Sequence, residues 1–231
     1  MPISPLALLT LVSAALAIAG APWALGESWL HAAFKPLTTA LIVGHAWSRG
    51  RHQPPVRRWV LCGLALSLLG DVALLWPQRG FLPGLVAFLL AHLAYIVAFT
   101  REHRLLARPV ALTIYVLVAG TVLALLWPSV PPGLRVPVAG YVLALTAMSA
   151  QTAVVGLAAQ GDDRRSGRLL MFGGALFMMS DALLATNRFA LPLPAASLWI
   201  LTTYWAAQWC IASWLKATPG RFGEGSRREA T

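Results

Sequence analysis

Lys35, Asp71 and Asp181 are ionisable residues that lie inside long apolar stretches of the sequence. A charge at the middle of a bilayer costs about 2.5–3.5 kcal/mol on insertion scales, so a charged residue in a membrane-spanning helix is a functional candidate by default. Two carboxyl groups in different environments can divide the roles of proton donor and base. A structural ion pair is the alternative interpretation of these three residues.

The three residues share one predicted depth. Asp71 and Asp181 each lie five residues before the outer end of a predicted helix, and Lys35 lies six residues inside the outer end of another. At about 1.5 Å per residue, all three lie roughly 7–9 Å below the outer boundary. Three separate helices are therefore expected to bring one cation and two carboxyl groups together.

Other polar side chains in the apolar stretches are candidates for contact with a substrate. His92 and Tyr95 share one helix face, Tyr204 and Gln208 share another, and Asn187 follows the seventh apolar stretch. A hydrogen-bonded core histidine explains His92 equally well. The histidines share no depth and the cysteines no metal spacing, so we predict no metal and no other cofactor.

The composition indicates which elements position these residues. Of the 231 residues, 58% are hydrophobic and 11% are charged, whereas soluble domains carry about a quarter charged residues. A membrane-spanning helix needs roughly 20 mostly apolar residues. The sequence predicts an all-α, polytopic membrane protein, a bundle of about eight transmembrane helices in one domain (1–216), followed by a polar, flexible cytoplasmic tail (217–231). The predicted helices cover residues 3–21, 29–48, 58–76, 81–99, 108–127, 134–158, 168–186 and 194–216.

The basic residues predict the orientation of this bundle. The net charge is +10, and fourteen of the 18 basic residues fall in alternate connections and in the tail. Only Arg79, Arg135 and Arg188 fall on the opposite side. Positive residues concentrate on the cytoplasmic side, so we expect a multi-pass protein of the inner cell membrane with both termini cytoplasmic. No nucleic-acid-binding motif accompanies the charge, so nucleic acid is not an expected partner.

An internal similarity relates the two halves of the chain. Leu69-Gly70-Asp71-Val72-Ala73-Leu74-Leu75 ends predicted helix 3, and Met179-Ser180-Asp181-Ala182-Leu183-Leu184 ends predicted helix 7. The offset is 110 residues, close to half the chain. The similarity is consistent with a parallel 4+4 repeat, and chance explains it equally well in a chain rich in leucine and alanine.

Four motifs, taken in order and spacing, resemble the YhhN family of integral membrane proteins, which includes the vertebrate lysoplasmalogenases. The resemblance covers predicted helices 2 to 8. The motifs are Phe34-Lys35-Pro36-Leu37-Thr38-Thr39, Leu69-Gly70-Asp71 with Leu74-Leu75, Ala91-His92-Leu93-Ala94-Tyr95, and Phe177-Met178-Met179-Ser180-Asp181 with Asn187-Arg188-Phe189.

The resemblance implies hydrolysis of the vinyl ether bond of a lysoplasmalogen, an alkenyl lysophospholipid. The products are a fatty aldehyde and glycerophosphoethanolamine or glycerophosphocholine. By motif, the acidic positions of the family correspond to Asp71 and Asp181, and its lysine corresponds to Lys35.

Vinyl ether hydrolysis suits two carboxyl groups, because one must deliver a proton to carbon and another can activate water or stabilise the oxocarbenium ion. The hypothesis is that Asp71 and Asp181 form this pair without a metal, and that Lys35 holds one carboxylate or the substrate phosphate. Two alternatives stay open. One is a small-solute or proton-coupled transporter that uses the buried Lys/Asp cluster, and the other is a non-catalytic lipid-binding or assembly protein.

Overall fold

Eight α-helices make up most of the part of the chain that the computed structural model describes, namely residues 4–76, 78–105 and 107–216. Two short 3-10 helices lie between α5 and α6, and the described residues contain no strand. The helices are α1 (Pro5–Ala19), α2 (Ser28–Trp47), α3 (Pro54–Ala73), α4 (Phe81–Thr100), α5 (Pro109–Leu126), α6 (Arg135–Ala158), α7 (Asp163–Phe189) and α8 (Ala196–Trp214).

Each predicted segment corresponds to one of these helices. The ends differ where a helix includes residues that are not apolar, or ends before the apolar stretch does. The helix α7 begins at Asp163 and ends at Phe189, because its charged first turns are helical although they are not apolar. Asn187 therefore lies within α7, not after it. The helix α3 begins at Pro54, a residue suited to a first helical turn, and ends at Ala73, earlier than predicted. The predicted tail, 217–231, lies outside the described residues.

Four helical segments are long and apolar enough to cross a membrane, judged by length and composition. They are Phe81–Thr100, Pro109–Ser129, Pro132–Ala158 and Asp163–Phe189, and α1 is apolar but shorter. The described chain is thus an all-helical membrane protein. We call the end of the bundle where α2, α4, α6 and α8 begin the outer end, and the opposite end the inner end.

Six helices form a closed ring in the order α2, α3, α4, α6, α7 and α8, and each packs against the next. The helix α1 packs outside this ring on α2 and α8, and α5 packs outside it on α6 and α7. At the inner end, Arg49 links the end of α2 to the end of α8, since its side chain donates to the carbonyl oxygens of Leu215 (2.8 Å) and Ser213 (3.0 Å). These bonds satisfy carbonyls that the last turn of a helix leaves free.

Two glycines let α3 approach α4 closely. A Cβ atom at Gly63 would clash with the ring of Tyr95, and one at Gly70 would lie 2.5 Å from the ring of Phe88. Small residues at such contacts allow close helix packing in membranes. Because Gly70 precedes Asp71, the close approach also fixes the position of that carboxyl group next to the aromatic side chains of α4.

Replacing Gly70 with alanine is expected to destabilise the bundle. The ring of Phe88 also packs edge-on against Tyr204 at 5.7 Å, so it cannot yield freely to an added methyl group. We expect the free energy of unfolding to fall by about 1–3 kcal/mol, measured by denaturant titration in detergent micelles. Gly120→Ala is the matched control, since a Cβ there meets no atom within 4 Å, and it should leave stability unchanged or slightly higher. Equal losses in both variants would contradict this packing account.

Candidate active site

Asp71 is the acceptor at the centre of a buried polar cluster. Its side chain is 2% exposed, and its Oδ2 accepts hydrogen bonds from the hydroxyls of Thr39 (2.6 Å) and Tyr204 (2.9 Å). The indole N–H of Trp205 donates in turn to the Thr39 hydroxyl at 3.1 Å. Helices α2, α3 and α8 therefore meet at this carboxyl group.

The cluster extends from Tyr204 to the fourth helix. The Gln208 amide nitrogen donates to the Tyr204 hydroxyl at 3.3 Å, and the Tyr95 hydroxyl donates to the Gln208 amide oxygen at 2.6 Å. All three side chains are buried. Tyr95 and Gln208, both predicted to contact substrate, thus lie behind Tyr204 and hold it in place.

Lys35 lies beside this cluster, one helical turn before Thr39 on α2. Its side chain is buried, and its positive charge attracts Asp71 electrostatically. Lys35 forms no ion pair within 4.0 Å and no hydrogen bond with any described residue. A cation held near a carboxylate without direct contact stabilises the ionised form of that carboxylate through space.

Asp181 occupies a different environment. Its Oδ2 accepts a 2.5 Å hydrogen bond from the hydroxyl of Tyr141 on α6. Its side chain lines a pocket of about 90 Å³ bounded by α4, α5, α6 and α7. Among the described residues that line this pocket, Asp181 and Tyr141 are the only polar side chains. Val118 of α5 also lines it and is 48% exposed, so the pocket reaches the lipid-facing surface of the bundle.

An aromatic layer separates the two carboxyl groups. Phe88 lines the pocket and packs edge-on against Tyr204 at 5.7 Å, and Phe177 packs against Tyr204 at 5.6 Å. Tyr204 is also close enough to Tyr141 for electrostatic interaction. The two tyrosines that donate to the carboxyl groups are therefore neighbours, while Asp71 and Asp181 share no hydrogen bond.

His92 lies within this aromatic layer. Its ring is 5.1 Å from that of Tyr141 and 4.9 Å from that of Phe177. The side chain is fully buried, and neither ring nitrogen has a hydrogen-bond partner among the described residues. A hydrogen-bonded core histidine was one interpretation of the sequence, and this geometry does not fit it. Buried polar atoms without a partner are rare in folded proteins, so a bound water is the expected partner of His92.

Asn187 stabilises the loop that connects α7 to α8. Its amide oxygen accepts a hydrogen bond from the backbone N–H of Leu193 at 2.9 Å. No described hydrogen bond joins Asn187 to either carboxyl group. Its position supports the loop that leads into α8, the helix that carries Tyr204.

Sequence reasoning missed three residues of the site: Tyr141, Thr39 and Trp205. The depth argument applied to Lys35 would have identified Tyr141, because it lies six residues inside the outer end of α6. Thr39 lies four residues after Lys35 and hence on the same helix face. Trp205 carried no such signal, because its role depends on how α8 packs against α2.

Loss of the Tyr204 hydroxyl should destabilise the fold, because it leaves Asp71 with one donor and Gln208 without its acceptor. We expect Tyr204→Phe to lower the free energy of unfolding by about 1.5–3 kcal/mol, the usual range for a hydrogen bond to a charged group. Tyr115→Phe is the control, because the Tyr115 hydroxyl has no partner among the described residues. Denaturant titration in micelles measures both. Indistinguishable stabilities would show that the Asp71 cluster contributes little to folding.

The chain is similar to several known proteins. Relatives include human lysoplasmalogenase TMEM86B (36% identical over 184 residues, 78% of this chain and 73% of the relative) and human lysoplasmalogenase TMEM86A (34% over 158 residues, 66% and 63%). A lysoplasmalogenase of Mycobacterium tuberculosis is 32% identical over 192 residues, 79% of this chain and 69% of the relative. No solved structure matches the chain. The YhhN family matches residues 30–215, and the chain therefore belongs to the YhhN family.

Proposed function

We propose that this protein is a membrane-embedded lysoplasmalogenase, a hydrolase of the vinyl ether bond of alkenyl lysophospholipids. The observation that carries the proposal is the Asp181 carboxyl group, hydrogen-bonded by Tyr141 on the wall of an otherwise apolar pocket. The relatives at 32–37% identity are named lysoplasmalogenases, which favours a hydrolase over the transporter alternative. The partner is a lipid, and the reaction as written needs no cofactor.

The pocket suits the substrate because the alkenyl chain is apolar and its reactive carbon can lie beside Asp181. A carboxyl group surrounded by apolar side chains favours its neutral form, which carries the proton. Asp181 has one hydrogen-bond donor and no cation within ion-pairing distance among the described residues. We therefore assign the role of proton donor to Asp181.

The reaction proceeds in three balanced steps. First, the Asp181 O–H bond breaks and the electron pair of the alkene forms a C–H bond at the carbon farther from the ether oxygen, which leaves an oxocarbenium ion. Second, water adds to that ion and returns its proton to the Asp181 carboxylate. Third, the hemiacetal collapses as its C–O bond to glycerol breaks and the glycerol oxygen takes the hydroxyl proton. The products are the aldehyde and the glycerophospho-alcohol, and Asp181 is neutral again.

Asp71 is better suited than Asp181 to carry negative charge. Its two hydroxyl donors and the nearby Lys35 favour the ionised carboxylate. A negative charge behind Tyr204 stabilises the positive charge that develops on the substrate. The two carboxyl groups thus divide their roles by environment, as paired carboxyl groups do in glycosidases.

The proposal includes the topology of the protein. We propose eight membrane-spanning helices in the inner cell membrane, with both termini cytoplasmic, because fourteen of the 18 basic residues lie at the inner end or in the tail.

We also propose a parallel 4+4 repeat. If each helix is replaced by the one four places later in the chain, with α1 following α8, the circular order α2, α3, α4, α6, α7, α8 is unchanged. A two-fold relation between the halves requires this.

Purified protein in non-ionic detergent should release aldehyde from an alkenyl lysophospholipid. Asp181→Asn should lower kcat by about 10²–10⁴-fold, the usual contribution of a general acid. Tyr141→Phe should lower it less, because the carboxyl group stays in place. An enzyme-coupled aldehyde assay measures all three proteins.

The matched control is Asp163→Asn, which removes a carboxyl group from the same helix. Asp163 is exposed and pairs with Lys216 at 3.1 Å, and exposed pairs contribute little to stability. Its turnover should equal that of the wild type. Near-normal turnover by Asp181→Asn would show that another group delivers the proton.

A further inference from the structure

Two arginines lie at the outer mouth of the apolar pocket. The Arg188 guanidinium lies 5.0 Å from the ring centroid of Phe81. Phe81 packs edge-on against Phe189 at 5.7 Å, and both phenylalanines line the pocket. Phe81 is the first residue of α4 and Phe189 the last of α7. Arg188 therefore lies where the pocket reaches the outer end of the bundle.

Arg135 lies at the same end of the pocket. Its Nε donates to the carbonyl oxygen of Val130 at 3.3 Å, and Val130 lines the pocket. Its guanidinium also lies 5.4 Å from the ring centroid of Trp127. Neither Arg135 nor Arg188 forms an ion pair with any described residue, so both positive charges are free to bind an anion.

Few basic residues lie at the outer end of the bundle, so the positions of Arg188 and Arg135 are informative. Apart from Lys35 within α2, the outer end carries three basic residues, Arg79, Arg135 and Arg188. Of these three, Arg135 and Arg188 each contact a residue that lines the same pocket. The side chain of Arg79 makes no hydrogen bond, ion pair or ring contact with the described residues.

The spacing between Arg188 and Asp181 matches a lysophospholipid. The two residues are seven apart on α7, which is about two turns, 10.5 Å of rise and nearly the same face. Seven covalent bonds join the phosphorus atom of an alkenyl lysophospholipid to the alkenyl carbon that takes the proton, about 8–9 Å when extended. A charge-assisted hydrogen bond from guanidinium to phosphate adds about 2.8 Å. A phosphate at Arg188 therefore allows the vinyl ether to reach Asp181.

On the neighbouring helix α6, Arg135 likewise lies nearer the outer end than Tyr141. They lie six residues apart on α6, about 9 Å of rise. Each of the two helices thus presents an arginine at the mouth and a member of the Tyr141–Asp181 hydrogen bond deeper in the pocket. One ligand can therefore place its phosphate at the two arginines and its ether bond at the Tyr141–Asp181 hydrogen bond.

We infer that Arg188 and Arg135 bind the phosphate of the substrate at the outer mouth of the pocket, while its alkenyl chain enters the pocket and its vinyl ether lies at Asp181. The inference rests on the proposed function and deepens it. It also replaces the expectation that Lys35 binds the phosphate, because Lys35 lies beside Asp71 and does not line the pocket. The water-soluble product then leaves at the outer end of the bundle.

The test compares two substrates that differ only in the phosphate group. One is a 1-alkenyl-glycerophosphocholine, and the other is the corresponding 1-alkenylglycerol without phosphate. We expect Arg188→Gln and Arg135→Gln each to lower kcat/KM for the first substrate by about tenfold or more, the effect of losing one charge-assisted hydrogen bond. Both variants should keep wild-type kcat/KM for the second, which also shows that they are folded. Arg79→Gln should equal the wild type on both.

Three results would overturn the phosphate site while leaving the hydrolase intact. The first is a loss of the same size on both substrates, which indicates a structural role. The second is an equal loss in Arg79→Gln, which indicates general electrostatic attraction. The third is unchanged kcat/KM in the Arg188→Gln, Arg135→Gln double variant. Absence of aldehyde release by the wild type from both substrates would overturn the proposed function itself and the phosphate site with it.

Discussion

Carboxyl groups buried among apolar helices need hydrogen-bond donors from the protein, because lipid supplies none. The structure provides a tyrosine hydroxyl to each: Tyr204 to Asp71 and Tyr141 to Asp181. Each tyrosine comes from a different helix than its carboxyl group, so each bond depends on the packing of helices: α8 with α3 for Tyr204, and α6 with α7 for Tyr141. The close packing of α3 at Gly70 and the contacts of Arg49 with the end of α8 belong to the side of the ring that brings Tyr204 to Asp71.

The two carboxyl groups differ in what surrounds them, and this difference supports a division of roles. Asp71 receives two hydroxyl donors and lies near Lys35. Asp181 receives one donor and faces an apolar pocket. The first environment suits a fixed negative charge, and the second suits a neutral acid next to an apolar chain. The pair resembles the glycosidase arrangement in principle, although the aromatic layer of Phe88 and Phe177 separates its members.

The sequence predicted the helices well because apolar length alone defines them. It also identified Asp71, Asp181 and Lys35 as unusual, since a charge in an apolar stretch is visible without any structure. It could not show that Lys35 belongs with Asp71 rather than Asp181, because that depends on which helices are neighbours in the ring. The hydrogen bond from Trp205 to Thr39 and the pocket beside Asp181 arise from lateral packing between helices, which no single helix pattern encodes.

The central claim is that Asp181 delivers a proton to one face of the alkene carbon, and the most direct measurement is hydrolysis in D2O. The aldehyde would be reduced at once to the alcohol, and the position and stereochemistry of the label determined by NMR. A fixed acid on the pocket wall predicts one deuterium, in a single configuration, on the carbon adjacent to the former carbonyl. A label in both configurations, or no label at that carbon, would contradict proton delivery by Asp181.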